Sequence, residues 1–123
     1  NPPLLGGTKE TAYLHVKADC ILGVIEDMSY TMHQLQLSPG DILFLYTDGL
    51  TEAMNTEEKL YGSDQPLAVL NQSLHASARD IVAAMKHDVE KHVGTAEQSD
   101  DLTMMVIRYQ GMPTSEKTEP EPI

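Results

Sequence analysis

A chain of 123 residues with 41% apolar side chains can close one small hydrophobic core and not two. Its formal net charge of −11 excludes a nucleic-acid backbone or an anionic membrane surface as a natural partner, because both would repel it. A single cysteine, Cys20, excludes an internal disulfide and points to a reducing compartment.

No apolar run approaches the ~20 residues a bilayer requires, and the amino end lacks a basic-then-apolar leader, so the chain reads as cytoplasmic with no direct membrane contact. The opening NPPLLGG reads as the interior of a longer protein. A membrane-anchored parent holding this part in the cytoplasm therefore stays open. Trp is absent and Phe occurs once, which leaves the core to Leu, Val, Ile and the seven Met.

Residues 1–8 place two prolines and two glycines around Leu4 and Leu5, predicting a short strand that enters a turn. Residues 11–16, TAYLHV, have the aromatic and β-branched content of a strand. Residues 20–24 are a brief apolar passage broken by Gly23, a loop or short strand. Residues 30–37, YTMHQLQL, alternate in part and predict a half-buried strand. SPGD, 38–41, is turn chemistry, and ILFLYT, 42–47, follows as the second arm of a hairpin. That arm is apolar on both faces, which predicts a strand inside a sheet covered above and below.

Residues 48–65 predict a loop with one helical turn around Leu50 to Met54. Residues 66–74 predict a helix with Leu67, Leu70 and Leu74 on one side. Residues 77–93 carry the strongest helical pattern. Ser77 and Asp80 stand at capping-box spacing, Ile81, Val82, Met85, Val89 and Val93 form an apolar stripe, and Gly94 is a stop signal. LTMMVIRY, 102–109, predicts a last strand with Met104 and Met105 as core filler. Residues 111–123 are dominated by Pro, Glu, Lys, Ser and Thr and predict a disordered acidic tail. Strands, then helices, then a strand make an α+β fold with a mostly antiparallel sheet and helices on one face.

Asp48 directly follows one apolar strand, and Asp100 and Asp101 directly precede another. If those strands are antiparallel neighbours, the carboxylates share one edge of the sheet. Gathered carboxylates repel, and a proton, a basic side chain or a divalent metal must offset that. Lys59, Arg79 and Arg108 are the nearest bases in sequence, and hard oxygen ligands suit Mg²⁺ or Mn²⁺. Gly49 permits a sharp turn and a close approach. Taken singly, each Asp site is more often an ordinary turn, since Asp and Gly are default turn residues. A calcium loop of the EF-hand type fails, because Leu50 occupies its third position.

The five histidines read as surface or half-buried residues. His15 and His33 fall in predicted strands, and His75, His87 and His92 in or near helices. His87 and His92 would stand about 140° apart on a helix, poor geometry for chelation, and H-E-x-x-H is absent. Cys20 has no basic neighbour in sequence and reads as a small core or loop residue.

From Leu37 to Asn55 the pattern L-x-P-G-D-x-L-x-L-Y-T-D-G-L-T-E-A-x-N resembles the metal-dependent protein phosphatases of the PPM family, in the bacterial branch of stage-II-sporulation-E and sigma-factor-regulating serine phosphatases. Further landmarks follow in order: Tyr61-Gly62, a helix pair, and DDLTMMVIR from Asp100 to Arg108. NPPLL resembles the family's GH-x-P-P-L-L segment, cut just after the His. The resemblance covers residues 1–110, with 111–123 as a tail.

It implies the C-terminal portion of a four-layer α-β-β-α sandwich with mostly antiparallel sheets and a two-metal centre of Mn²⁺ or Mg²⁺. Asp48 and Asp100 would be metal ligands, with Thr47, Gly49, Asp101 and Thr103 in support. No side chain is implied as catalytic, since the family's nucleophile is metal-activated water. The implied reaction is hydrolysis of a phosphoserine or phosphothreonine protein, and the implied partner is a small phosphorylated regulator such as an anti-sigma-factor antagonist.

One departure is large. The family's first metal-binding motif, an Asp followed by Gly-His-Gly or a similar run, is absent. The resemblance therefore implies a fragment with half the direct ligands and little or no turnover alone. Two alternatives stay open: a non-catalytic pseudophosphatase or truncated module used for partner binding, and a plain acidic α+β domain with a low-affinity divalent-ion site. An incomplete sandwich leaves an apolar sheet face uncovered, which predicts self-association.

Overall fold

The computed structural model describes residues 1–7 and 10–113. Among the described residues, seven elements occur in chain order: β1 (Leu4–Gly6), β2 (Ala12–Tyr13), β3 (Ile42–Tyr46), α1 (Asp48–Thr51), α2 (Asp64–Gln72), α3 (Ala78–Val93) and β4 (Met104–Arg108). The strands form one sheet of order β2-β1-β3-β4, every neighbouring pair antiparallel. The expected α+β class with helices on one face is what the chain adopts.

ILFLY is central because both of its edges are taken, by β1 on one side and β4 on the other. Residues directly opposite in an antiparallel pair share a face. Leu4, Phe44 and Val106 therefore make one row, and Ile42 and Arg108 another, on the face that meets the helices. Against this face α3 lays its stripe at four-residue spacing. Ile81, Met85 and Val89 are buried, and Val93 packs partly against the core. From α2, Leu70 is buried and Leu67 joins from the margin.

The ends of the helices follow from their sequences. The Ser77 hydroxyl accepts a hydrogen bond from the Asp80 amide at 3.1 Å and caps α3, while Asp80 in the first turn and Lys91 and His92 in the last complement the helix dipole. α2 begins two residues before the expected Pro66. A proline is tolerated in a first turn because its missing N–H would have no intrahelical partner there. The helical turn expected around Leu50 to Met54 sits slightly earlier, at α1.

Three expectations are overturned. Residues 30–37 form no strand and no hairpin with β3. A strand needs a neighbour for its backbone groups, and β3 has no free edge to offer. SPGD does turn, with Asp41 N–H donating to the Ser38 carbonyl at 2.9 Å and Ser38 N–H to Asp41 Oδ2 at 2.8 Å. The turn is then fastened to the far end of β4, through Gly40 N–H to the Tyr109 carbonyl and Tyr109 N–H to that of Asp41. Residues 11–16 shrink to β2 because the three-residue β1 offers only a short edge to pair with, and His15 and His33 lie outside strands.

Second, β3 is covered on one side only. Among the described residues, no second sheet lies over its other face, with Leu43 opposite Ile107 and Leu45 opposite Met105, and Met105 is 59% exposed. Third, the methionines are mostly not core. Met85 is fully buried and Met104 packs at the margin, while Met28, Met32, Met54, Met105 and Met112 are exposed. The expected tail from 114 onward lies outside the described residues.

Candidate metal centre

The register of the sheet decides what meets at its edge. β1 runs against β3 with Leu4 opposite Phe44, and β4 runs against β3 with Met104 opposite Tyr46. Continued by three residues on one side and one on the other, this register brings Asn1 and Thr103 to the two flanks of Thr47. Three segments distant in sequence, Asn1, Thr47 to Gly49 and Asp100 to Thr103, thus converge at one end of the central strand.

Thr47 N–H donates to the Thr103 carbonyl at 3.1 Å, one step beyond the ladder proper. The Thr47 hydroxyl accepts from Thr103 N–H at 3.2 Å and lies 3.4 Å from the Asp101 carbonyl, to which it donates. Gly49 is buried against the same carbonyl. A β-carbon built there would lie 2.1 Å from the Asp101 oxygen, so only a residue without one fits. The expected meeting of the two acidic loops is a feature of the structure, fixed at backbone level.

The carboxylates themselves are exposed. Asp48 accepts a hydrogen bond from the Asn1 side-chain amide, and Asp100 Oδ1 accepts from the Asp101 amide at 2.7 Å. Gln98 donates to the Asp100 carbonyl at 2.7 Å and steadies the approach to β4. Neither Lys59 nor Arg108 serves this edge. Lys59 pairs with Glu57 at 2.9 Å, and the Arg108 guanidinium donates to the Leu74 and Ala76 carbonyls at 2.8 and 2.7 Å.

Two cavities flank this edge. One of about 380 Å³ is lined by Gly49, Ala53, Val89, Val93, Leu102 and Asp100, among others. The other, of about 350 Å³, is lined by Asn1, Tyr13, His15, Tyr46 and Glu52, among others. Burial raises the Tyr46 phenol above its ordinary value; its hydrogen bond with Tyr13 works against that shift, and the charge of Asp48 works with it. Tyr13, whose hydroxyl donates to the Ser63 carbonyl, is raised further, by burial first and by Tyr46 second.

The donor set fits a hard divalent cation in kind and falls short in number. Two carboxylates on adjoining loops suit Mg²⁺ or Mn²⁺, which keep several waters when protein ligands are few. Among the described residues, however, no group of three or more His, Cys, Asp or Glu could hold a metal ion. Asn1, whose side-chain amide reaches Asp48, carries no sequence signal for that contact; only the strand order places it there.

The fold matches part of two solved phosphatase domains. The SiaA-PP2C domain of Pseudomonas aeruginosa superposes with a TM-score of 0.72 at 22% identity, over 88% of this chain and 42% of that one. The phosphatase domain of SpoIIE from Bacillus subtilis, in an Mn-presoaked structure, gives 0.59 at 17% identity, over 92% of this chain and 49% of that one. The family model for stage II sporulation protein E matches residues 1–110, and the chain belongs to that family. Protein IcfG of Synechocystis sp. is 27% identical over 86 residues, 70% of this chain and 13% of IcfG. The chain thus spans about half of the solved domains and a small part of IcfG.

Proposed function

We propose that the chain is the C-terminal portion, residues 1–110, of a PPM-type domain that hydrolyses phosphoserine or phosphothreonine on a signalling protein. The observation that carries this reading is the lock between Gly49 and Asp101, which brings Asp48 and Asp100 to one sheet edge. The family match supports it. The residues fit the following roles. Asp48 and Asp100 bind Mn²⁺ or Mg²⁺, Asn1 orients Asp48, and Gly49, Asp101 and Thr103 hold the two loops together. Held by Asp48 and Asp100 with further ligands, such cations would make hydroxide available from water near neutral pH and would offset charge on phosphoryl oxygens. The carboxylates add negative charge around the cations without competing as nucleophiles.

Two carboxylates are too few for that centre, so this chain alone turns over little or no substrate, and completion requires ligands from a further segment. A small phosphorylated regulator of the anti-sigma-factor-antagonist kind fits as substrate, in the cytoplasm; among the described residues no helix is long and apolar enough to cross a membrane. The incomplete ligand set favours one second reading, a partner-binding module without catalysis.

Mn²⁺ titration by calorimetry, on wild type and on Asp48→Ala and Asp100→Asn, tests the metal reading. Saturable heat in the wild type that disappears in both variants is expected. Equal heats in all three would remove Asp48 and Asp100 as ligands.

A further inference from the structure

Thr47 stands at the N-cap of α1, with extended backbone angles (φ −98°, ψ 170°), yet its side chain makes no capping hydrogen bond to that helix. A threonine at this position ordinarily turns its oxygen on to the amides of the first helical turn. Here the hydroxyl is directed sideways, between two atoms of the opposite loop: it accepts from Thr103 N–H and donates to the Asp101 carbonyl. Below it, Gly49 offers that same carbonyl a place that any β-carbon would fill. The residues on either side of Asp48 therefore both grip the segment that carries Asp100.

We infer that Thr47 is a positioning residue, a hydroxyl latch that sets the spacing of the Asp48 and Asp100 carboxylates before any cation arrives. Gly49 is the seat against which the latch closes. The inference rests on the reading of Asp48 and Asp100 as metal ligands and adds to it. The two loops are held in ligand register by a side chain that touches neither cation nor substrate. The backbone bond from Thr47 N–H to the Thr103 carbonyl would join the strands without the hydroxyl; what the hydroxyl adds is a hold on residue 101, one step from the ligand. Partners bonded directly to metal ligands typically account for 10- to 100-fold in metal affinity, and Thr47, acting through the adjoining backbone, belongs at the lower end of that range.

The test uses the full ¹⁵N-labelled chain and Mn²⁺ alone as probe. Paramagnetic broadening of amide signals at 48–50 and 100–103 gives the apparent affinity. Amide exchange of Thr103 in metal-free protein reports the latch itself. In the wild type both loops broaden together at one Mn²⁺ concentration. Thr47→Val, which keeps the shape and loses the hydroxyl, should need at least about 10-fold more Mn²⁺ and should exchange Thr103 at least about 10-fold faster. Thr47→Ser should restore both to within about twofold, and Gly49→Ala should weaken Mn²⁺ binding as Thr47→Val does. If Thr47→Val does not fold, Thr47→Ala makes the same comparison without a branched side chain.

A Thr47→Val protein that binds Mn²⁺ as the wild type does, with Thr103 exchange accelerated, would overturn the positioning role and leave the metal reading intact. A wild type in which neither loop broadens would overturn the metal reading, and the positioning role with it. Accelerated Thr103 exchange would then mark a bond that only stabilises the fold.

Discussion

Tyr61 shows what one side chain can fix. It is almost fully buried, and its hydroxyl donates to Asp88 Oδ2 at 2.7 Å, which ties the segment after α1 to the middle of α3. The His92 ring meets it edge-on at 5.5 Å, and His92 Nε2 lies 2.9 Å from the Lys59 carbonyl. Burial first, and then the Asp88 carboxylate, push the phenol well above its ordinary value. An unfolded tyrosine ionises near pH ~10, so above that the folded state keeps a proton the unfolded state loses. The stability it contributes is complete below pH ~10 and declines as pH rises beyond. Tyr61→Phe should cost about 1 kcal/mol at pH 7, from one lost hydrogen bond, and should flatten the decline above pH 10. Urea denaturation at pH 7 and at alkaline pH measures both. Tyr13 and Tyr46 shift in the same direction, so part of the decline should persist.

Elements with a local cause are legible in the sequence. The stripe, cap and stop of 77–93 all lie within one segment, and α3 follows them closely. The runs at 42–47 and 102–109 are too apolar to be loops, and become the central β3 and the edge strand β4. Residues 30–37 have a comparable local pattern and fail, because a strand exists only through a neighbour and β3 has given both edges away. Arg108 was invisible for the same kind of reason. Its part, closing the carbonyls between α2 and α3, depends on facing inward beside Ile42. The local origin of α3 makes a plain prediction. Ser77→Ala removes the one side-chain cap at its start and should cost about 1 kcal/mol of unfolding free energy, read as a lower denaturation midpoint, while Ser77→Asp should hold stability near wild type. An unchanged midpoint in Ser77→Ala would mean that packing of the stripe alone fixes where α3 begins.

At the scale of the molecule, the sequence pattern told more about the site than about what surrounds it. Two Asp-bearing strand ends need only an antiparallel pairing to meet, and the two most apolar strands, central β3 and edge β4, make it. What covers the sheet does not follow, since an apolar run records burial without saying by which segment. The face opposite the helices is left with Leu43, Leu45, Met105 and Ile107, the last two 59% and 42% exposed. Residues 21–36 are exposed throughout, Ile21, Leu22, Val24, Ile25 and Met32 among them. Apolar surface collected in this way is what soluble monomers avoid, and the negative charge of the chain opposes association only weakly at physiological salt, where screening acts within ~8 Å. Sedimentation velocity should therefore find self-association that rises with concentration and survives 0.5 M salt. Placing lysines on the sheet face, Met105→Lys with Ile107→Lys, should shift the chain toward monomer. Because both positions are already open to water, the unfolding free energy should change by no more than about 0.5 kcal/mol. If the wild type stays monomeric over the whole range, or the double variant associates equally well, the open sheet face is not the surface that drives contact. The exposed segment 21–36 would then be the next surface to change.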